Sequence, residues 1–279
     1  MRVDLKKTLF ILPNLITLSS IFCGFYSIVV CTGGDGRASA GAAGEADSFH
    51  LAAILIVFAM LFDTLDGRVA RLTKTQSAFG VQIDSLADVV SFGIAPAMLM
   101  YRWSLHALGV GGIIASFVFV AAGAIRLARF NVLATSASGA PKKPSKFILG
   151  LPIPGAAGIV VSLVVANHVV TGRLNAEPLI VLAVALALSF FMVSTIKFRS
   201  FKDVKLNSRA VFFVLATVGS TIAVAVMFHA AFALVWLLAG YITMGVVEAI
   251  VDIGRRVAGQ PPRMVDEKPD EEKQRTSVH

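Results

Sequence analysis

Hydrophobic positions along this chain gather into long uninterrupted runs. Stretches near the 20 or so residues needed to cross about 30 Å of hydrocarbon recur over its whole length, divided by short polar or small-residue connections. The pattern predicts eight spans, at 9–31, 51–69, 81–101, 105–125, 153–170, 178–196, 210–228 and 230–252. Backbone that crosses lipid must satisfy its polar groups internally, which helices do. The expected fold is an all-α integral membrane protein, with one transmembrane unit over 1–253 and a charged tail over 254–279. Pro261, Pro262 and Pro269 lie in that tail among charged residues, so it is expected to be disordered. Residues 32–49, rich in Gly, Ala and Ser, read as a flexible outer loop, and 133–150 as a longer connection on the opposite side. No fixed-period repeat is present.

Composition agrees with the pattern. The chain has 279 residues, 56% hydrophobic and 15% charged, whereas a soluble domain carries about a quarter charged residues. With the N-terminus inside, all of the 25 Lys and Arg except Arg37, Arg102 and Arg173 fall in cytoplasmic segments. A multi-pass protein of the cell membrane, with both termini inside, is therefore expected. The net charge of +8 is explained by basic loops against anionic headgroups, without nucleic acid as a partner. The first run is longer than a signal-peptide core and is interrupted by Pro13-Asn14, so it reads as a retained helix. Cys23 and Cys31 share one span and form no disulfide or metal pattern.

Against this background one stretch is anomalous. FDTLDGRVARLTKTQSAFGVQIDSLADVV, at 62–90, carries four aspartates inside predicted spans, and a carboxylate in hydrocarbon costs roughly 2.5–3.5 kcal/mol on insertion scales. Asp63, Asp66, Gly67 and Ala70 are spaced along one helical face, and Asp84 and Asp88, four apart, share a face of the next helix. The short turn at 74–79 makes the two helices antiparallel neighbours, so the faces can meet near the cytoplasmic surface. Four close carboxylates cannot all stay ionised without cations. Hard oxygen ligands with no His or Cys nearby favour Mg²⁺ or Mn²⁺, and four could hold two ions for a displacement at phosphorus. Gly67, lacking a side chain, lets a nucleotide approach the helix, and Arg71 can offer a fork of donors to a diphosphate. The plainer alternative is a structural ion cluster with Arg68, Arg71 and Lys74.

The constellation Asp63-x2-Asp66-Gly67-x2-Ala70-Arg71-x8-Gly80-x3-Asp84-x3-Asp88 resembles the signature of the CDP-alcohol phosphotransferases at each of its eight defined positions. The resemblance implies transfer of a phosphatidyl or similar group from a CDP-linked lipid to an alcohol, with release of CMP. It implies a six-span helical core, here with two spans added, usually dimeric and with its metal site on the cytoplasmic side. It further implies Asp63, Asp66, Asp84 and Asp88 as metal ligands, with Asp88 also the general base. Gly67, Arg71, Ser77, Asn14 and Thr17 then match contacts to the CDP-lipid.

The wider chain resembles one branch of the family, the bacterial and archaeal phosphatidylserine synthases, through LPNLITLSSIFCGFYSI at 12–28, FGVQIDSLADVVSFGIAPA at 79–97, RLARFNV at 126–132 and FILGLPIPGAAG at 147–158. The implied partners are CDP-diacylglycerol and L-serine within a membrane, and a second copy as a homodimer. A zwitterionic acceptor needs a cation for its carboxylate, for which Arg126, Arg129 and Lys146 are candidates, with Asn131 adding a hydrogen bond. Glycerol-3-phosphate or an inositol phosphate are rival acceptors. An ion-coupled transporter is the rival from another class, but it would place carboxylates near the midplane within inverted repeats.

Overall fold

The computed structural model describes residues 5–34, 36, 41–73, 75, 77–134, 147–171, 177–195, 197–199 and 240. The predicted spans at 210–228 and 230–252, the charged tail and Lys146 lie outside the described residues.

Helix α1 (Leu5–Cys31) is followed by α2 (Ala42–Leu72). The third span is one continuous rod in three parts, α3 (Ala78–Asp88), a π-helical turn (Val89–Ile94) and α4 (Ala95–Trp103). A short 3-10 turn (Leu105–Leu108) leads into α5 (Val110–Ala134), and then come β1 (Phe147–Leu149), α6 (Ile153–Thr171), α7 (Pro178–Val193) and β2 (Lys197–Arg199). Four helical segments are long and apolar enough to cross a membrane, Leu12–Cys31, Ala43–Leu72, Ala78–Trp103 and Val110–Leu133, and two shorter apolar helices accompany them. The chain is a multi-pass membrane protein with a helical body.

Three features differ from the sequence reading. The outer loop is shorter than expected, because α2 starts at Ala42. Its small residues, read as flexible, include alanines, the best helix formers, and Ala46 and Phe49 are buried there. The fourth span starts at Val110, not 105. Gly109 adopts φ 56°, a left-handed conformation that favours glycine and ends the preceding turn. The described chain is also not purely α. β1 and β2 form an antiparallel pair with Phe147 opposite Arg199, and Gly150 (φ 72°) turns the chain out of it where a Cβ would run into the Met192 carbonyl oxygen. Isolated ladders of this kind carry no span-length apolar signal.

Small residues set how closely the helices approach. In membranes, where apolar side chains find lipid as congenial as protein, packing and hydrogen bonds between helices do the associating. Thr17, Ser20, Gly24 and Ser27 recur at helical spacing on α1, and the three hydroxyl residues are buried. α1 lies along α2 and also touches α3, the π turn and α4. Ser20 Oγ donates to the Ala59 carbonyl (3.1 Å) and Ser27 Oγ to the Ala52 carbonyl (2.9 Å), both on α2. A Cβ on Gly24 would fall 2.7 Å from Ser91 Cα, so this contact needs glycine. The core continues through Ala52, Ala53, Ile56 and Ala59 of α2, Phe92 of the π turn, Phe119 of α5, and Ala156, Ala157 and Val160 of α6. Free Cys23 and Cys31 are buried in it. Large apolar side chains such as Phe22, Phe58, Phe117 and Phe190 stay exposed, as lipid-facing positions must.

Candidate active site

Asp63 and Asp66 belong to α2 and Asp84 to α3, and one carboxylate oxygen from each lies within 4.8 Å of the others. Asp66 is buried, while Asp63 and Asp84 are partly so. Asp88, the last residue of α3, is in hydrogen-bonding contact with Asp63, and its Oδ1 is buried with no hydrogen-bond partner among the described residues. All four carboxyls thus converge, as the two-face spacing predicts. The route differs from the one expected. α2 and α3 do not pack as close neighbours; α2 meets the third span at the π turn and α4, and α1 lies against both sides. The carboxylates meet where the backbones do not.

Elements around the cluster hold it from three directions. From α1, Thr17 Oγ1 donates to Asp66 Oδ2 at 2.5 Å while lying 3.1 Å from the Pro13 carbonyl. Ser77, N-cap of α3, accepts from the Gly80 N–H at 2.9 Å, satisfying one of the orphan donors of a helix start. A Cβ on Gly80 would lie 3.2 Å from Ser77 Oγ and 3.7 Å from Asn14 Oδ1, so Asn14, Ser77 and Gly80 adjoin. Gly67 presents a bare patch of α2, crossed among the described residues by the Arg71 guanidinium alone, 3.7 Å from where a Cβ would be. From α5, Arg126 exerts its charge on Asp88.

Two acceptor candidates are engaged in helix-to-helix bonds. Arg129 Nη1 donates to the Val193 carbonyl at the end of α7 (3.2 Å), and Asn131 Nδ2 donates to Ser85 Oγ beside Asp84 (2.8 Å). Both bonds fasten the end of α5 that carries Arg126.

The donor set suits a hard divalent cation. Two carboxyls in contact need a proton or a cation between them, and every group in the cluster is an oxygen donor. Among the described residues the cluster contains no imidazole; His50 stacks on His168 of α6, ring centroids 4.5 Å apart, thirteen residues before Asp63 and so roughly 20 Å along α2 at 1.5 Å per residue.

Sequence reasoning missed Ser20 and Ser91. Ser91 Oγ donates to the Ser20 carbonyl at 3.0 Å. The available signal was the row of small and hydroxyl residues at 17, 20, 24 and 27, which marks a close helix interface. The π turn gave no comparable signal beyond Gly93 and Pro96.

Membrane-length helices thus carry a cluster of aspartates, with a bare glycine and an arginine one turn on beside it. The chain belongs to the CDP-alcohol phosphatidyltransferase family, whose sequence profile matches residues 10–193. It is similar to a CDP-diacylglycerol–serine O-phosphatidyltransferase of Helicobacter pylori, 40% identical over 210 residues that cover 74% of this chain and 79% of the relative. The protein of that name from Bacillus subtilis is 30% identical over 191 residues, covering 68% and 91%. An archaetidylserine synthase of Methanothermobacter thermautotrophicus is 34% identical over 198 residues, covering 70% and 72%.

Proposed function

We propose that this protein transfers the phosphatidyl group of CDP-diacylglycerol to the hydroxyl of L-serine, giving phosphatidylserine and CMP. The observation that carries the reading is the convergence of Asp63, Asp66 and Asp84 within 4.8 Å, with Asp88 against Asp63. The relatives' names add the acceptor, since all three are serine-type synthases.

In this reading the four aspartates hold Mg²⁺ or Mn²⁺, two ions being the number such a set can accommodate. A divalent cation held there would neutralise phosphate oxygens and make phosphorus more electrophilic. Gly67 lets the nucleotide approach α2, Arg71 forks onto the diphosphate, and Asn14 and Ser77 border the cytidine. Thr17 steadies Asp66. The serine hydroxyl oxygen attacks the phosphatidyl phosphorus as the bond to the CMP oxygen breaks. Asp88 takes the hydroxyl proton, and CMP leaves with the bonding pair. Arg126 receives the serine carboxylate, while Arg129 and Asn131 hold α5 in place for it; Lys146 remains a further candidate cation. The site faces the cytoplasm, residues 1–253 act as one unit in which two spans follow the six-span core, and the working form is a homodimer.

Product analysis tests this directly. Purified protein with CDP-diacylglycerol, Mn²⁺ and L-serine is expected to yield phosphatidylserine and CMP in equal amounts. Product formed only with glycerol-3-phosphate or an inositol phosphate would redirect the acceptor. No CMP with any alcohol would sink the reaction class.

A further inference from the structure

Asp63 and Asp88 lie side by side, one on α2 and the other at the end of α3, and α1 packs against both helical segments. Directly beneath that contact runs a connected set of buried groups. Ser91, three residues after Asp88 and inside the π turn, donates from Oγ to the Ser20 backbone carbonyl on α1 (3.0 Å). Ser20 in turn donates from its own Oγ to the Ala59 carbonyl on α2 (3.1 Å), and Ala59 lies one helical turn before Asp63. The two hydroxyls are 3.4 Å apart, and Ser20 and Ser91 are both fully buried. The strut therefore begins one turn from one aspartate and ends one turn from the other.

Its position in the π turn matters physically. A π turn adds a residue to the helical repeat, so side chains before and after it are rotated relative to an unbroken α-helix. Pro96, in the first turn of α4, cannot donate a backbone hydrogen bond, which removes one of the ladder bonds that would favour plain α geometry. Something must fix the rotation that results. Ser91 is the hydroxyl within the turn that bonds outside its own helix, and Gly24 is the bare surface that lets it approach so closely.

We infer that Ser91 is a positioning residue: through Ser20 and Ala59 it sets the rotation of the π turn against α2, and so the direction in which Asp88 meets Asp63. The inference rests on the metal reading of the aspartates and adds to it a residue that touches neither metal nor substrate.

Ser27 supplies the control. It makes the same kind of buried hydroxyl-to-carbonyl bond from α1 to α2 (2.9 Å to Ala52), eleven residues before Asp63. A merely structural role predicts equal consequences for losing either hydroxyl. The experiment compares Ser91→Ala, Ser91→Cys and Ser27→Ala in detergent-purified full-length protein, reading thermal midpoint and Mn²⁺ binding by electron paramagnetic resonance without substrate. Ser91→Ala is expected to raise the Mn²⁺ concentration for half-saturation by about tenfold, the scale of one hydrogen bond. Ser91→Cys, with a weak donor of similar shape, should fall between, and Ser27→Ala should lower the thermal midpoint while leaving Mn²⁺ binding within about twofold, inside the spread expected of a distant site. If Ser91→Ala does not fold, Ser91→Cys carries the comparison alone. Mn²⁺ binding by the Ser91 variants that matches Ser27→Ala overturns the positioning role and leaves the proposed reaction standing. Wild-type protein that binds no Mn²⁺ overturns the metal reading and this inference together.

Discussion

Thr17 and Asp66, forty-nine positions apart and on different helices, share a 2.5 Å hydrogen bond in which the threonine hydroxyl donates to the carboxylate. Both are buried. This bond makes α1 part of the carboxylate cluster, and it gives Thr17 a partner before any ligand arrives. Thr17→Val keeps the shape and removes the donor. A hydrogen bond to a charged group contributes on the order of 1.5–3 kcal/mol. The expected result is a 10- to 100-fold weaker metal requirement curve, as that range converts at about 1.4 kcal/mol per tenfold, with Thr17→Ser close to wild type. Titrating Mn²⁺ against turnover in both variants checks it; an unshifted Thr17→Val curve would remove Thr17 from the site.

Asp63→Asn and Asp84→Asn each replace one of the oxygens that meet within 4.8 Å by a neutral amide. Each is expected to abolish transfer, and EDTA should do the same to the wild type, reversibly on adding Mg²⁺ or Mn²⁺. Full turnover in EDTA-treated enzyme would end the metal assignment.

Gly67 separates folding from binding. Among the described residues a methyl group there would meet only the Arg71 guanidinium, at ordinary contact distance, so Gly67→Ala should fold and keep its thermal midpoint. It should nonetheless bind CDP-diacylglycerol poorly, because the methyl occupies the surface the nucleotide approaches. Arg71→Lys is expected to weaken apparent CDP-lipid affinity by about 1–3 kcal/mol, since an ammonium cannot form the guanidinium's paired bonds. CDP-lipid titrations that match wild type in both variants would place the nucleotide elsewhere.

Asp88→Asn keeps an oxygen for a cation and removes the base. A serine hydroxyl is a poor nucleophile until its proton is accepted, so turnover should vanish while CDP-diacylglycerol binding persists. Near-normal turnover would assign the base to another group, and loss of binding along with activity would make Asp88 a ligand alone. Pairing the transfer assay with a lipid titration distinguishes the three results.

The sequence by itself determined the helical body and the aspartate faces, because both follow from local rules. Bilayer thickness converts an apolar run into a helix of known length, and the 3.6-residue repeat puts Asp63 with Asp66 and Asp84 with Asp88 whatever surrounds them. The candidate chemistry was legible for the same reason: four carboxylates in apolar runs are conspicuous. Tertiary structure alone decided what stands between the helices and how the polar side chains are spent. α1 packs against both α2 and the third span, and α2 meets that span at the π turn and α4 rather than along α3. Arg129 and Asn131, which look like acceptor contacts in one dimension, also bond to Val193 and Ser85. Thr17, Ser20 and Ser91 found partners that no spacing rule names. A hydroxyl or guanidinium can reach several acceptors, and the one it takes depends on the rotation and depth of a neighbouring helix. Those are fixed by the fit of small residues such as Gly24 against Ser91, a long-range contact between segments that the linear pattern does not pair.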